Sequence, residues 1–213
     1  MNIKSFLKII VYVLAATGFS AARADDSVNF FRAINIDDIR TVSELLARGF
    51  DPNSFNTKGQ PALVQALKDD APRVAAALLA HPSVKVDATT AAGETPLMMA
   101  AITGQLDWMQ RLMNRGALIN RAGWTPLHYA ASGPDAKAVA LLLDRGAAID
   151  APSPNRSTPL MMAARYGSED AALLLVARGA DLRLRNDLGL DATDFARTAG
   201  RDSLAKRLEA PAR

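Results

Sequence analysis

The sequence predicts an all-α fold, a solenoid of stacked helix pairs joined by short turns and hairpins. Alanine and leucine supply most of a hydrophobic fraction of 49%, and aromatic residues only 6%. That balance suits closely packed helices better than a sheet sandwich, which favours β-branched and aromatic residues. A segment of the form Thr-Pro-Leu-x-x-Ala recurs at nearly constant spacing, and leucine-rich runs ending in Arg-Gly recur in the same register.

The first mark is clearest at Glu94–Ala101, Trp124–Ala131 and Ser157–Ala164. It is degenerate at Leu190–Ala196 and weaker at Gln60–Ala66. The residues at its leucine position, Leu63, Leu97, Leu127, Leu160 and Thr193, are spaced by 34, 30, 33 and 33. The second mark is Arg48-Gly49, Arg115-Gly116, Arg145-Gly146 and Arg178-Gly179. Threonine is suited to cap the first helix of each unit, and proline belongs in its first turn, where a missing N–H costs nothing. The leucines and alanines then pack between neighbours, and the glycine ends the second helix in the left-handed conformation.

The period and the two marks in register resemble ankyrin repeats, here those of a bacterial, exported member. The resemblance covers nearly all of residues 25–209 as about six units. Val28 to Phe50 is expected to cap one end, and a final unit from Asn186 to Leu208 to close the other. Residues 210–213 are expected to be a frayed tail. The family's fold implies a concave binding face made of turn tips and the exposed edge of each first helix. On this sequence that face takes Phe55, Glu94, Ile102, Arg121, Trp124, Arg165, Tyr166 and Arg185. A hot spot is expected at Trp124, Tyr166 and Arg165, with Ile102 on its edge, because aromatic and arginine side chains dominate binding energy. The resemblance also gives His128 a structural role, hydrogen bonding between repeats.

Departures from the pattern carry their own expectations. The turn from Asn120 to Gly123 is three residues shorter than its counterparts, which removes most of one finger and notches the binding edge. His81-Pro82-Ser83-Val84 replaces the Arg-Gly-Ala turn of the second unit. Arg156 stands where other copies have Gly59, Gly93, Gly123 and Gly189. A positive φ there would strain it.

Residues 1–24 have the order of a secretory signal peptide: Lys4 and Lys8, an apolar run from Ile9 to Phe19, and Ala22-Arg23-Ala24 as the cleavage site. The apolar run is shorter than the ~20 residues a membrane helix needs. The expected mature chain begins at Asp25, in the periplasm or outside the cell, with no membrane insertion after cleavage. The net charge of +3 arises from 25 basic and 22 acidic residues, and Lys4, Lys8 and Arg23 account for the excess. The remaining chain balances 22 of each, which gives no electrostatic case for binding nucleic acid.

No cysteine is present, so disulfides and thiolate chemistry are excluded. His81 and His128 fall in different phases of the repeat. No nucleophile elbow, His-Glu-x-x-His segment or phosphate loop occurs. The pairs Asp25-Asp26, Asp37-Asp38 and Asp69-Asp70 fall near helix starts, where carboxylates interact well with the helix dipole. The doublets Met98-Met99 and Met161-Met162 each put a Met at a core position. No catalytic residue, metal site or cofactor is therefore expected. The expected function is a non-catalytic protein–protein interaction module, a monomer that binds another protein. One alternative is a stoichiometric inhibitor or immunity-type protein that blocks an enzyme or toxin. A metal carrier or an enzyme is the alternative of another class.

Overall fold

The computed structural model describes residues 25–209. The expected signal peptide and the tail 210–213 lie outside them. Among the described residues there are twelve helices and no strand, in two compact units that divide between Lys85 and Val86. Unit one holds α1 (residues 25–35), α2 (Ile39–Ala47), α3 (Ala62–Lys68) and α4 (Pro72–Ala80). Unit two holds α5 (Pro96–Ile102), α6 (Leu106–Asn114), α7 (Pro126–Ser132), α8 (Ala136–Asp144), α9 (Pro159–Arg165), α10 (Glu169–Ala177), α11 (Ala192–Thr198) and α12 (Asp202–Glu209). In unit two α5, α7, α9 and α11 pack side by side, each against the helix that follows it. Each of these first helices has seven residues. That is too short to persist alone, so packing holds them.

The starts of these helices share one device. The Thr95 hydroxyl accepts the Met98 N–H, and the Thr158 hydroxyl accepts the Met161 N–H, both at 3.3 Å. In return the sulfurs of Met98 and Met161 accept the N–H of Thr95 and Thr158 at 3.4 Å. Both methionines are 1% exposed, so their thioethers serve as buried caps. Asp194 does the same for Asp191 in α11. In α3 the cap residue is Pro61, which has no N–H to satisfy, and the apolar Val64 takes the matching place. A reciprocal capping box explains α5, α9 and α11.

The helix ends are equally regular. Gly49, Gly116, Gly146 and Gly179 have φ of 89°, 93°, 84° and 94°. The next residue in each case donates back to Leu45, Leu112, Leu142 or Leu175 at 2.9–3.0 Å, as in the Schellman ending. α4 ends differently. His81 is its C-cap in extended conformation, and its Nδ1 accepts the Ser83 N–H at 3.3 Å.

Asn53, Asp87, Asn120 and Asp150 form ties between successive repeats. They accept the N–H of Lys85, Leu118, Ala148 and Asp181 at 2.7–3.1 Å. Asp37, just ahead of α2, also serves the start of a helix in the next repeat. It lies between helices at φ 52°, and it caps α4 of the next repeat by accepting the Val74 N–H at 2.8 Å while pairing with Arg73 at 3.0 Å. Burial pushes its carboxyl upward in pKa, but the bonds from Val74 and Arg73 outweigh this and leave it lowered. Asp38 is the N-cap of α2, as the sequence suggested.

The core follows the repeat. Leu63, Leu97, Leu127 and Leu160 are at most 2% exposed, and Ala66, Ala100, Ala130, Ala163 and Ala196 are fully buried.

Candidate partner-binding groove

Ile102, Trp124, His128, Tyr129, Ser132 and Met162 line a groove of about 240 Å3 within unit two. The repeat register places them. Ile102 and Ser132 close α5 and α7 at the same position, and Tyr129 and Met162 share another on α7 and α9. Trp124 sits just ahead of α7, at the shortened turn. Elsewhere the finger closes with a bond from residue i to i+4, as in Asn56 to Gln60, Thr90 to Glu94, Ser153 to Ser157 and Asn186 to Leu190. No such bond joins Asn120 and Trp124 among the described residues. Arg121 instead reaches the Gly93 carbonyl at the neighbouring finger tip, at 3.1 Å.

His128 forms the floor and is 1% exposed. Its Nδ1 takes the place of the methionine sulfurs and accepts the Thr125 N–H at 3.2 Å. Its Nε2 lies 3.0 Å from the Ser157 carbonyl of the next repeat. A carbonyl only accepts, so Nε2 carries the proton and the ring is neutral. Burial lowers the His128 pKa, against the opposing pull of its carbonyl contacts. The indole of Trp124 meets this ring edge-on at 5.2 Å. The half-buried Tyr129 hydroxyl donates to Glu94 Oε1 at 3.5 Å, and Glu94 Oε2 accepts from Thr90 at 3.0 Å. Burial and then Glu94 push the Tyr129 hydroxyl up in pKa, while Arg121 pulls it down.

The eight residues read as a binding face are thus dispersed. Ile102 and Trp124 line the groove, with Glu94 and Arg121 on its finger side. Arg165 and Tyr166 lie one turn beyond Met162. The Arg165 guanidinium stacks 5.2 Å from the Tyr166 ring and 5.9 Å from that of Phe195. Tyr166 is 59% exposed but does not line the groove. Arg185 is engaged by its own repeat, paired with Asp191 at 2.8 Å and bonded to the Gly189 carbonyl at 2.6 Å. Phe55 belongs to unit one, exposed, in an isolated bridge to Pro61. Tyr129 and Met162 were missed as site residues. The signal was their place in Thr-Pro-Leu-x-x-Ala, where the second x is half-buried in α5, α7 and α9 while the first is buried.

Unit one has a separate, polar cleft of about 580 Å3 that includes Asn35, Asn56, Gln60, Gln65, Lys58 and Lys68. Its amides are joined to one another: Asn56 donates to Gln65 at 2.6 Å, and Gln65 donates to Asn35. Among the described residues no cluster of His, Asp and Glu is arranged to hold a metal, and no helix is long and apolar enough to cross a membrane.

The family described as ankyrin repeats (3 copies) matches residues 30–122 and 118–186. The chain is 45% identical to the human Neurogenic locus notch homolog protein 4 over 98 residues, 44% of this chain and 5% of that protein. It is 25% identical to Protein glp-1 of Caenorhabditis elegans over 207 residues, 90% of this chain and 16% of that protein. The chain therefore spans only a small part of either relative. Among solved structures it is similar to a chain of the complex between the Bd0816 predatory endopeptidase of Bdellovibrio bacteriovorus and immunity protein Bd3460. That likeness has a TM-score of 0.73 and 25% identity, and covers 86% of this chain and 98% of that one. Ankyrin repeats mediate protein–protein interaction. The matched residues span more than half of the sequence, and the chain belongs to the ankyrin-repeat family.

Proposed function

We propose that this protein acts by binding, not catalysis, and that it docks one protein partner in the groove of unit two. The observation that carries this reading is the groove itself. Trp124, Tyr129, Ile102 and Met162 gather on one face, over a floor fixed by His128. A rigid surface of this kind loses little conformational entropy on association. The N-terminal sequence supports export, which places the partner in the periplasm or outside the cell.

A second observation favours a more specific role. The similar solved chain comes from a complex of an endopeptidase with an immunity protein. On this reading the present protein blocks an enzyme of the same compartment by occupying it stoichiometrically. The test is to capture partners from periplasmic extract with the purified protein, then titrate each against wild type, Trp124→Ala and Tyr129→Ala. Any peptidase activity of the captured partner is followed in parallel. Loss of activity that saturates at one equivalent supports the inhibitor role. Tight binding with activity intact leaves an adaptor. Binding indifferent to both groove variants rejects the groove.

A further inference from the structure

The chemistry around the groove defines what the partner presents to it, given that the groove is the docking site proposed above. On the finger side both signs of charge are present, Glu94 accepting from Tyr129 and Arg121 bonded to the Gly93 carbonyl. On the helix side only a cation stands. Ile102, Ser132 and Arg165 hold the same place at the ends of α5, α7 and α9. The first two line the groove. Arg165 is the next in that row, and it lies one helical turn from Met162, on the same face of α9.

Among the described residues Arg165 has neither an answering carboxylate nor the carbonyl partners that hold Arg121 and Arg201. Arg178 pairs with Asp144, Arg185 with Asp191, and Arg197 with Asp194 and Glu209. Among the described residues no acid pairs with Arg165, yet its guanidinium is held against Tyr166 and Phe195. A cation that is positioned but uncompensated, beside an apolar groove, is complementary to an anion beside an apolar side chain. The groove's volume of about 240 Å3 accommodates a large aliphatic or aromatic side chain.

We infer that the partner inserts an apolar side chain between Trp124, Ile102 and Met162, and that an Asp or Glu close to it in the partner's sequence meets Arg165. Arg165 then selects among partners that the apolar groove alone would accept equally.

The test uses a displayed library of random dodecapeptides, selected on the purified protein and on its Arg165→Glu variant. Selected peptides are synthesised and titrated against wild type, Trp124→Ala and Arg165→Glu, with far-UV circular dichroism confirming that each variant folds. The expected consensus pairs Leu, Ile, Phe or Trp with an acid within about four positions, the reach of a single helical turn. Its affinity falls about three- to tenfold for Arg165→Glu, the range set by one exposed ion pair and its reversal. Selection on Arg165→Glu keeps the apolar residue and replaces the acid by Lys or Arg. Peptides that depend on Trp124 but show no acid preference, with affinities unmoved by Arg165→Glu, overturn the inference and leave the groove as the docking site. A library yielding no Trp124-dependent peptide overturns both. Concentration-dependent dimerisation abolished by Ile102→Arg would put a second copy of the chain in the groove instead, and likewise overturns it.

Discussion

His128 Nε2 donates to the Ser157 carbonyl at 3.0 Å, from the first helix of one repeat to the turn of the next. This bond, and the one from the Thr125 N–H to Nδ1, require a neutral ring. Burial lowers the His128 pKa below its ordinary value of 6.5. In the unfolded chain the ring regains that value, so below about pH 6.5 the unfolded state binds more protons than the folded one. Stability contributed by His128 is therefore fully present above about pH 6.5 and is lost as pH falls toward the lowered folded value. Urea midpoints measured from pH 7.5 down to 5 should fall, and His128→Gln should flatten that slope while lowering the plateau. A wild-type midpoint constant over this range would contradict the assignment.

Arg156 has φ 61°, at the finger-tip place where Gly59, Gly93, Gly123 and Gly189 have φ of 69–80°. A side chain in this left-handed region costs ~1–2 kcal/mol. Glycine recovers that but loses ~0.4–1 kcal/mol through its freer unfolded chain. Arg156→Gly should raise stability by a net of about 0.5 kcal/mol, read as a higher denaturant midpoint at unchanged slope. A lower midpoint would mean that the arginine side chain contributes more than its backbone costs.

Gly167 faces the opposite constraint. A Cβ built there would stand 1.9 Å from the Ala131 carbonyl oxygen, which is backbone and cannot swing aside. Gly167→Ala should cost ~3 kcal/mol or more, at or beyond the upper end for overpacking. Gly49→Ala meets nothing within 4 Å and suffers only its φ of 89°, so it should cost ~1–2 kcal/mol. Thermal unfolding of the two variants side by side checks the ranking.

Once a partner is captured, Trp124→Ala and Tyr129→Ala should each weaken binding by ~2 kcal/mol, as anchors of this type do. Arg40→Ala should do little. Arg40 pairs with Glu44 on α2, with side chains 87% and 62% exposed, and such pairs contribute little. Isothermal titration decides, and equal losses at all three positions would place the contact elsewhere.

Intact-mass measurement of periplasmic protein should give a chain that begins at Asp25. A mature species retaining Lys4 and Lys8 would refute the export reading.

Much of the stack was legible because each repeat residue has one job set by local geometry. Threonine before proline, glycine after Arg, and leucine at the shared core position are each sufficient signals. The strain at Arg156 was legible for the same reason, since four glycines at its place announce a positive φ. The groove was less so. Trp124 and Ile102 were found by residue type and position, but Tyr129 and Met162 fell within the framework motif, where they looked structural. Which second-x side chains are covered depends on how neighbouring first helices pack, and spacing does not encode that. Arg165 and Tyr166 were expected in the hot spot beside Trp124; the structure stacks them on each other next to the groove, a pairing that depends on where the end of α9 directs each side chain. The ties made by Asn53, Asp87, Asn120 and Asp150 recur openly in the sequence, yet their partner is a backbone N–H, which has no letter to read.

The shortened turn shows that finger and tie are separable parts. Asn53, Asp87 and Asp150 precede the finger-tip residues Gly59, Gly93 and Arg156 by six positions, whereas Asn120 precedes Gly123 by three. Asn120 still bonds both the Gly146 carbonyl and the Ala148 N–H at 2.8 Å. Deletion of the finger has thus left the register of the stack untouched. Loop length between the tie and the first helix is therefore free to vary without threading cost to the core. It acts as an adjustable shutter whose setting here leaves Trp124 at the rim, and three residues inserted after Asn120 would reset the aperture while the stack beneath stayed as it is.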